Sequence, residues 1–297
     1  MRNLGYFLFL LIFASGCTTN NRDQSHTLNE EKHQSNDVTI VEEVVFESEG
    51  VQLSGSMYIP KDARAAVVLV HGSDPVPRMT KLAQSLAKRD LLVLTYDKRG
   101  VGESGGVYVG PQVGTNNISV DNLTLLAKDA SAAVDVVHGY DKELSIGLIG
   151  ASQAGWIIPI AALNNQSVEF MVLFSSPTIT TLEQLRFQFY TNGREDFWKT
   201  HTDEESREHT LNDPDRYDFK ATDPKISLNS LSIPGLWLFG EQDIQVPVKM
   251  CIEQLNRMKA KGKPFEYVLF PSLGHNTNKA EPLDIAIQWI KQNNFSH

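Results

Sequence analysis

The sequence predicts an α/β fold: a mostly parallel central sheet flanked by helices on both faces, with an antiparallel hairpin at its edge and a helical insertion. Two observations carry this. Short, near-continuous Val/Ile/Leu/Phe runs read as strands buried on both faces, and they alternate with longer segments whose apolar residues recur at helical spacing. Such alternation is that of a parallel sheet whose crossovers are helices. The 297 residues, 41% hydrophobic and 21% charged, suffice for one large core plus an insertion. Disorder is thereby excluded for the bulk of the chain.

The N-terminus stands apart from that body. Met1-Arg-Asn precedes the apolar run LGYFLFLLIF and then Ala14-Ser15-Gly16-Cys17, the pattern of a signal peptide too short to span a bilayer. This small-small-Cys ending resembles the lipobox of bacterial lipoproteins, although Ala14 stands where leucine is usual. The resemblance implies that Cys17 is the lipid-attachment residue and the first mature residue, on a protein exported to the cell envelope and anchored to a bacterial membrane. A plain signal peptide cleaved nearby is the other reading. Residues 18–37 are polar and aperiodic, as expected of a flexible tether. With Cys17 assigned to the anchor, Cys251 has no partner for a disulfide; it falls in a helical pattern and reads as a small buried side chain.

The folded body is expected over residues 38–297. VTIVEEVVFES and VQLSGSMYIP alternate and are joined by Glu49-Gly50, a hairpin signal. The buried-strand runs are AAVVLVHG (65–72), LLVLTYD (91–97), LSIGLIG (144–150), VEFMVLFSS (168–176), GLWLFG (235–240) and FEYVLFP (265–271). Helical patterns fill 79–90, 119–140, 153–165, 248–262 and 283–294 between and after them. Residues 178–230 break the rhythm: they have no buried-strand run, are rich in charge and aromatics, and read as a largely helical lid. Its aromatics Phe187, Phe189, Tyr190, Phe197 and Trp198 fit either an acyl pocket or anchors to the body.

In open parallel sheets, functional groups gather at the carboxyl ends of strands, where loops converge and helix N-termini point their N–H groups. Following each strand in turn gives His71-Gly72-Ser73-Asp74-Pro75, then Asp97-Lys98-Arg99-Gly100-Val101-Gly102, then Ser152, then Glu241-Gln242-Asp243, and last Leu273-Gly274-His275. Ser, Asp and His thus occur in that order at strand ends. Ser152 lies in GLIGASQAGW at a strand-to-helix junction; Ala154 replaces the last glycine of the usual G-x-S-x-G, and Gly155 follows one place later.

HG-S-x-P, D-x-R-G-x-G-x-S, G-x-S-Q-x-G, G-x-x-D-x-x-V-P and G-H, in that order, resemble the α/β-hydrolase superfamily over nearly all of the chain from residue 38. The resemblance is to small bacterial esterases with a serine aminopeptidase-like domain. It implies a serine hydrolase acting on a small-molecule acyl substrate, with Ser152 as nucleophile, His275 as general base and Asp243 as the carboxylate that fixes the imidazole tautomer. The implied oxyanion donors are the backbone N–H groups of Gln153 and Ser73. Rival acids are Asp196 and Asp223, and His71 in this motif supports its loop.

No cofactor is expected: no His/Cys/Asp/Glu cluster has metal-ligand spacing, and the Asp97–Gly102 glycines match neither phosphate-loop pattern, so they read as loop-shaping. A net charge of −9 without a Lys/Arg stripe argues against nucleic acid. The triad does not select the leaving group, so aminopeptidase and thioesterase chemistry stay open, with Glu183, Glu195 and Asp196 as acids able to hold a substrate amine. A non-catalytic envelope binding protein on the same scaffold is a further alternative.

Overall fold

Strands β1 (Ile40–Ser48) and β2 (Val51–Ile59) pair antiparallel over their full length, from Ile40 opposite Ile59 to Ser48 opposite Val51. Glu49 and Gly50, at φ 50° and 71°, form the two-residue turn; left-handed residues at both positions match the twist of the strands they join. The computed structural model describes residues 39–110 and 117–293. Cys17, the signal-like segment 1–17 and the tether 18–37 lie outside the described residues.

Strands β3 (Ala65–Val70), β4 (Leu91–Tyr96), β5 (Ile146–Ala151), β6 (Val168–Phe174), β7 (Gly235–Gly240) and β8 (Phe265–Phe270) complete an eight-stranded sheet in the order β1-β2-β4-β3-β5-β6-β7-β8. β2 meets β4 antiparallel, and every pairing from β4 through β8 is parallel. The predicted architecture is the one observed.

The helices are α1 (Thr80–Ala87), α2 (Val120–Tyr140), α3 (Ala154–Asn164), α4 (Thr181–Thr191), α5 (Phe197–Thr200), α6 (Asp203–Asn212), α7 (Pro224–Ser230), α8 (Val248–Lys259) and α9 (Ala280–Gln292). Alternate strand residues face opposite sides, so each strand feeds two cores. Ala66, Val68 and Val70 of β3 pack with Leu123, Val134, Ile157 and Leu255 from α2, α3 and α8. Val67 and Leu69 pack instead with Leu86 of α1 and Ile287 and Ile290 of α9. Burying each of these Val, Leu and Ile side chains contributes roughly 1.5–3 kcal/mol, and both faces are covered. β8 departs from the sequence expectation of a strand buried on both faces. As the outer strand it has a single neighbour, and Glu266 and Tyr267 are exposed.

Between β6 and β7 the chain runs through α4 to α7. Thr180 and Glu183 form a reciprocal capping box at the start of α4, as Thr202 and Glu205 do for α6, and Asp223 caps α7 ahead of Pro224. Each cap satisfies backbone N–H groups that have no partner inside the helix and is worth about 1 kcal/mol. Beneath the loop after β4, the buried Arg99 guanidinium pairs with Asp129 of α2 and donates to the Ser48 carbonyl at 3.0 Å. Cys251, on the inner face of α8, is fully buried, and its carbonyl accepts the Thr178 hydroxyl at 3.0 Å.

Candidate active site

Ser152 sits in the turn between β5 and α3 with φ 54°, the left-handed region that a residue other than glycine occupies only when its surroundings hold it there. Two hydrogen bonds do so: Ser152 N–H donates to the Phe174 carbonyl at 3.0 Å, and Gly155 N–H to the Ser152 carbonyl at 2.9 Å. The strand and helix cross closely beside it. A Cβ on Gly150 would fall 2.5 Å from the Ala154 Cβ and 2.8 Å from the Val70 carbonyl oxygen, and one on Gly155 would fall 2.7 Å from the Pro177 carbonyl oxygen. The methyl of Ala154 is therefore accommodated because Gly150 has none, while Gly155 is required for the approach of Pro177.

Asp243 and His275 come together at the ends of β7 and β8. Gln242 N–H donates to the Leu273 carbonyl at 2.9 Å, locking the two loops. His275 Nδ1 then lies 2.8 Å from Asp243 Oδ2. The other carboxylate oxygen accepts the N–H groups of Gln245 and Val246 at 2.7 and 3.0 Å, so a fully buried charge has three partners. Burial opposes protonation of the ring, but the facing Asp243 carboxylate outweighs it and holds His275 above the ordinary imidazole range. The Thr277 hydroxyl, two residues on, meets the Ser175 hydroxyl at 2.8 Å, which ties the histidine loop to the end of β6, the strand that also receives the Ser152 N–H.

The loop after β3 closes the other side. A Cβ on Gly72 would stand 3.9 Å from the Ser152 Cβ, so this loop, which carries Ser73, runs directly beside the serine turn. Gln153 opens α3, and its buried side-chain amide donates to the Asn117 carbonyl and Oδ1 at 3.0 and 2.9 Å. His71 is buried against Tyr96, with ring centroids 5.0 Å apart. Burial, reinforced by the charge of Lys98, lowers its pKa to about 4, so it is neutral and belongs to the loop's support. Among the rival acids, Asp223 caps α7 and Asp196 is exposed. Among the described residues no group of three or more His, Cys, Asp or Glu is placed to hold a metal.

The insertion meets this site through the acid's loop. Trp198 Nε1 donates to the Asp243 carbonyl at 2.9 Å, the Thr191 hydroxyl to Ile244 at 2.6 Å, and Gln184 Nε2 to Gln245 at 2.9 Å. Three successive carbonyls are thereby held from α4 and α5. Phe187 and Phe197 are fully buried beneath and pack edge to face, with Trp198 stacked on Phe187. Phe189 is 52% exposed and stacks on Tyr217. The buried aromatics therefore form the insertion's own packing, and Trp198 ties it to the body through the Asp243 carbonyl. Glu183 is committed to its capping box, and Glu195 is exposed.

The family described as serine aminopeptidase, S33, matches residues 61–227, more than half of the chain. The chain belongs to this family. No curated protein sequence matches it. Among solved structures it is similar to an esterase of Pyrococcus furiosus, with TM-score 0.61 and 19% identity over 86% of this chain and 89% of that one. It is also similar to an acetyl xylan esterase from Paenibacillus sp. R4, with TM-score 0.59 and 19% identity over 89% and 86%. An acylaminoacyl peptidase of Pyrococcus horikoshii gives TM-score 0.60 at 12% identity over 87% of this chain and 41% of that one. The S33 chain is thus an α/β hydrolase in fold and family.

Sequence reasoning missed several side chains around this S33 site. Lys98 and Tyr108 bond to carbonyls of the loop after β3, and Asn117 Oδ1 accepts from the Gln153 side-chain amide; Trp198 reads from sequence as a pocket or anchor aromatic, but no residue pattern announces its bond to the Asp243 carbonyl. The signal for Lys98 is its place immediately after Asp97, the residue that follows β4.

Proposed function

We propose that the protein is a serine hydrolase of the carboxylesterase type, cleaving esters of small acyl substrates through an acyl-enzyme. The observation that carries this is the 2.8 Å contact between the His275 ring and the buried Asp243 carboxylate, with Ser152 held left-handed in the turn between β5 and α3. A serine hydroxyl needs a base to become nucleophilic, and an imidazole whose Nδ1–H is fixed by a carboxylate presents Nε2 for that task. In this reading His275 takes the Ser152 proton as the oxygen attacks the ester carbonyl, then gives it to the departing alkoxide as the C–O bond breaks. Water, deprotonated by the same ring, releases the acid and restores Ser152. The N–H groups of Ser73 and Gln153 would receive the oxyanion, a contribution of about 10²- to 10³-fold in rate per donor.

The amide alternative needs a carboxylate for the substrate's free amine. Of the insertion acids considered for it, Glu183 is engaged in a cap and Glu195 and Asp196 face solvent, which favours the ester. Fluorophosphonate labelling of wild type and Ser152→Ala tests the nucleophile: an adduct on wild type alone is expected, and no adduct on folded wild type overturns the catalytic reading in favour of a binding protein. Comparison of nitrophenyl esters, acyl thioesters and aminoacyl nitroanilides separates the leaving groups; turnover of the anilides alone would replace esterase by aminopeptidase, and of the thioesters alone by thioesterase.

Export with lipidation at Cys17 completes the proposal and rests on the sequence of residues 1–17. Incorporation of a labelled fatty acid into wild type but not Cys17→Ser is the expected result.

A further inference from the structure

Lys98 stands in an environment that an ordinary structural lysine does not have. The residue is 2% exposed and its ammonium meets three successive carbonyls of the loop after β3: Gly72 at 2.7 Å, Ser73 at 3.1 Å and Asp74 at 3.5 Å. It also lies 3.4 Å from Gln153 Oε1. The Gln153 amide is oriented to offer that oxygen, because its nitrogen is committed to two acceptors on Asn117. Tyr108 adds to the same grip, donating its hydroxyl to the Ser73 carbonyl at 2.5 Å while its ring lies 5.1 Å from the ammonium.

We propose that Lys98 is the positioning residue of the oxyanion site, fixing the peptide unit that presents the Ser73 N–H and tying it to the Gln153 end of the nucleophile turn. This inference rests on the serine-hydrolase reading above. Its physical basis is peptide geometry. The Gly72–Ser73 unit is planar and trans, so its C=O and N–H point in opposite directions; pulling the Gly72 oxygen onto the ammonium aims the Ser73 N–H away from Lys98. A charge-assisted bond to the carbonyl also polarises the unit and strengthens its N–H as a donor. Without Lys98 the loop would keep its chain path but lose the restraint on that peptide plane.

The groups facing Lys98 decide what pH does to it. Among the described residues, Asp74, His71, Tyr96 and Tyr108 are titratable groups beside it, with apolar Leu126 of α2, apolar Ile157 of α3 and the Gln153 amide. Burial lowers the Lys98 pKa to about 8, with Asp74 opposing. His71 is already neutral, Tyr108 is pushed up to about 12 by burial and Tyr96 further still by burial. Between pH 7 and 10, Lys98 is accordingly the member of this cluster that changes charge. A neutral amine keeps only two N–H donors for these four oxygens, faces one of them with its lone pair and no longer carries the charge, which loosens the grip.

The experiment measures kcat and KM for nitrophenyl butyrate in wild type and Lys98→Met, together with inhibition by a trifluoromethyl ketone, which forms a hemiketal oxyanion on the serine, and by the matching methyl ketone. Expected for the variant is a fall in kcat of about 10- to 100-fold, less than loss of a whole donor, with KM changed less than about threefold. Trifluoromethyl ketone affinity should fall in parallel while methyl ketone affinity holds. Wild-type kcat should decline above pH about 8, and the variant should lack that limb. A folded Lys98→Met with kcat within about threefold of wild type overturns the inference and leaves the hydrolase reading intact. Should Lys98→Met not fold, Lys98→Gln, whose end is polar but shorter and uncharged, is read in the same assays, and a kcat and trifluoromethyl ketone affinity within about threefold of wild type overturn the inference. Wild type that is folded and forms no fluorophosphonate adduct removes the hydrolase reading and this inference together.

Discussion

At Ala154 a single methyl separates the chain from the usual nucleophile signature, and the structure shows what that methyl meets. It fills the space left by Gly150, so Ala154→Gly should retain activity within about threefold, whereas the branched Ala154→Val would drive methyl groups into the β5–α3 crossing and cost about 1–3 kcal/mol of overpacking strain. Ester hydrolysis and denaturant melts of both variants check this; an active, stable valine variant would show the crossing to be loose. A second residue-scale expectation concerns His275. A base must be neutral to accept a proton, and the Asp243 carboxylate holds this ring above the ordinary imidazole range despite burial, so kcat/KM should fall on the acid side through a pKa above about 6.5. Asp243→Asn should shift that limb to lower pH and cut kcat by about 10⁴-fold. An acid limb at or below the ordinary value in wild type would contradict the geometry.

Among the elements, the insertion is where sequence and structure part. Charge, aromatics and the missing strand runs make residues 178–230 read as a helical lid, and α4 to α7 do occupy that stretch. What the pattern does not convey is attachment. Trp198, Thr191 and Gln184 hold the carbonyls of Asp243, Ile244 and Gln245, so the insertion braces the acid's loop. These bonds are illegible because their acceptors are backbone groups whose exposure only the folded loop creates. Trp198→Phe keeps the aromatic packing and removes one donor; it should cost about 1–2 kcal/mol in stability and lower kcat, read in melts and steady-state kinetics. If neither moves, the brace is not mechanically coupled to the acid. By contrast, Asp243 and His275 are readable from sequence, since both follow strand ends and strands are announced by their own apolar runs.

For the whole molecule, the sheet is legible because burial on both faces leaves little choice of residue: β3, β4 and β7 are buried throughout. Strand order and edges are less so. β8 carries the same kind of apolar run as β7 yet lies at the margin, and nothing within six residues tells a strand how many neighbours it will have. The two cores on either side of the sheet meet through it, so α8 opening is expected to require disruption of the larger core rather than a local fluctuation.

That expectation gives the Cys251 thiol, described above as a packed side chain, a second use. Burial pushes its pKa up to about 12, and only the thiolate attacks a disulfide reagent, so the closed molecule is chemically silent at that position. The sequence has two cysteines; in Cys17→Ser the remaining thiol becomes a stopwatch for opening. Its reaction with an aromatic disulfide at pH 8 should be slow in buffer and accelerate with denaturant along the global unfolding curve. Prompt reaction in buffer would mean that α8 lifts by itself. Each molecule thus carries, one helix behind its acid loop, its own internal record of how often it comes apart.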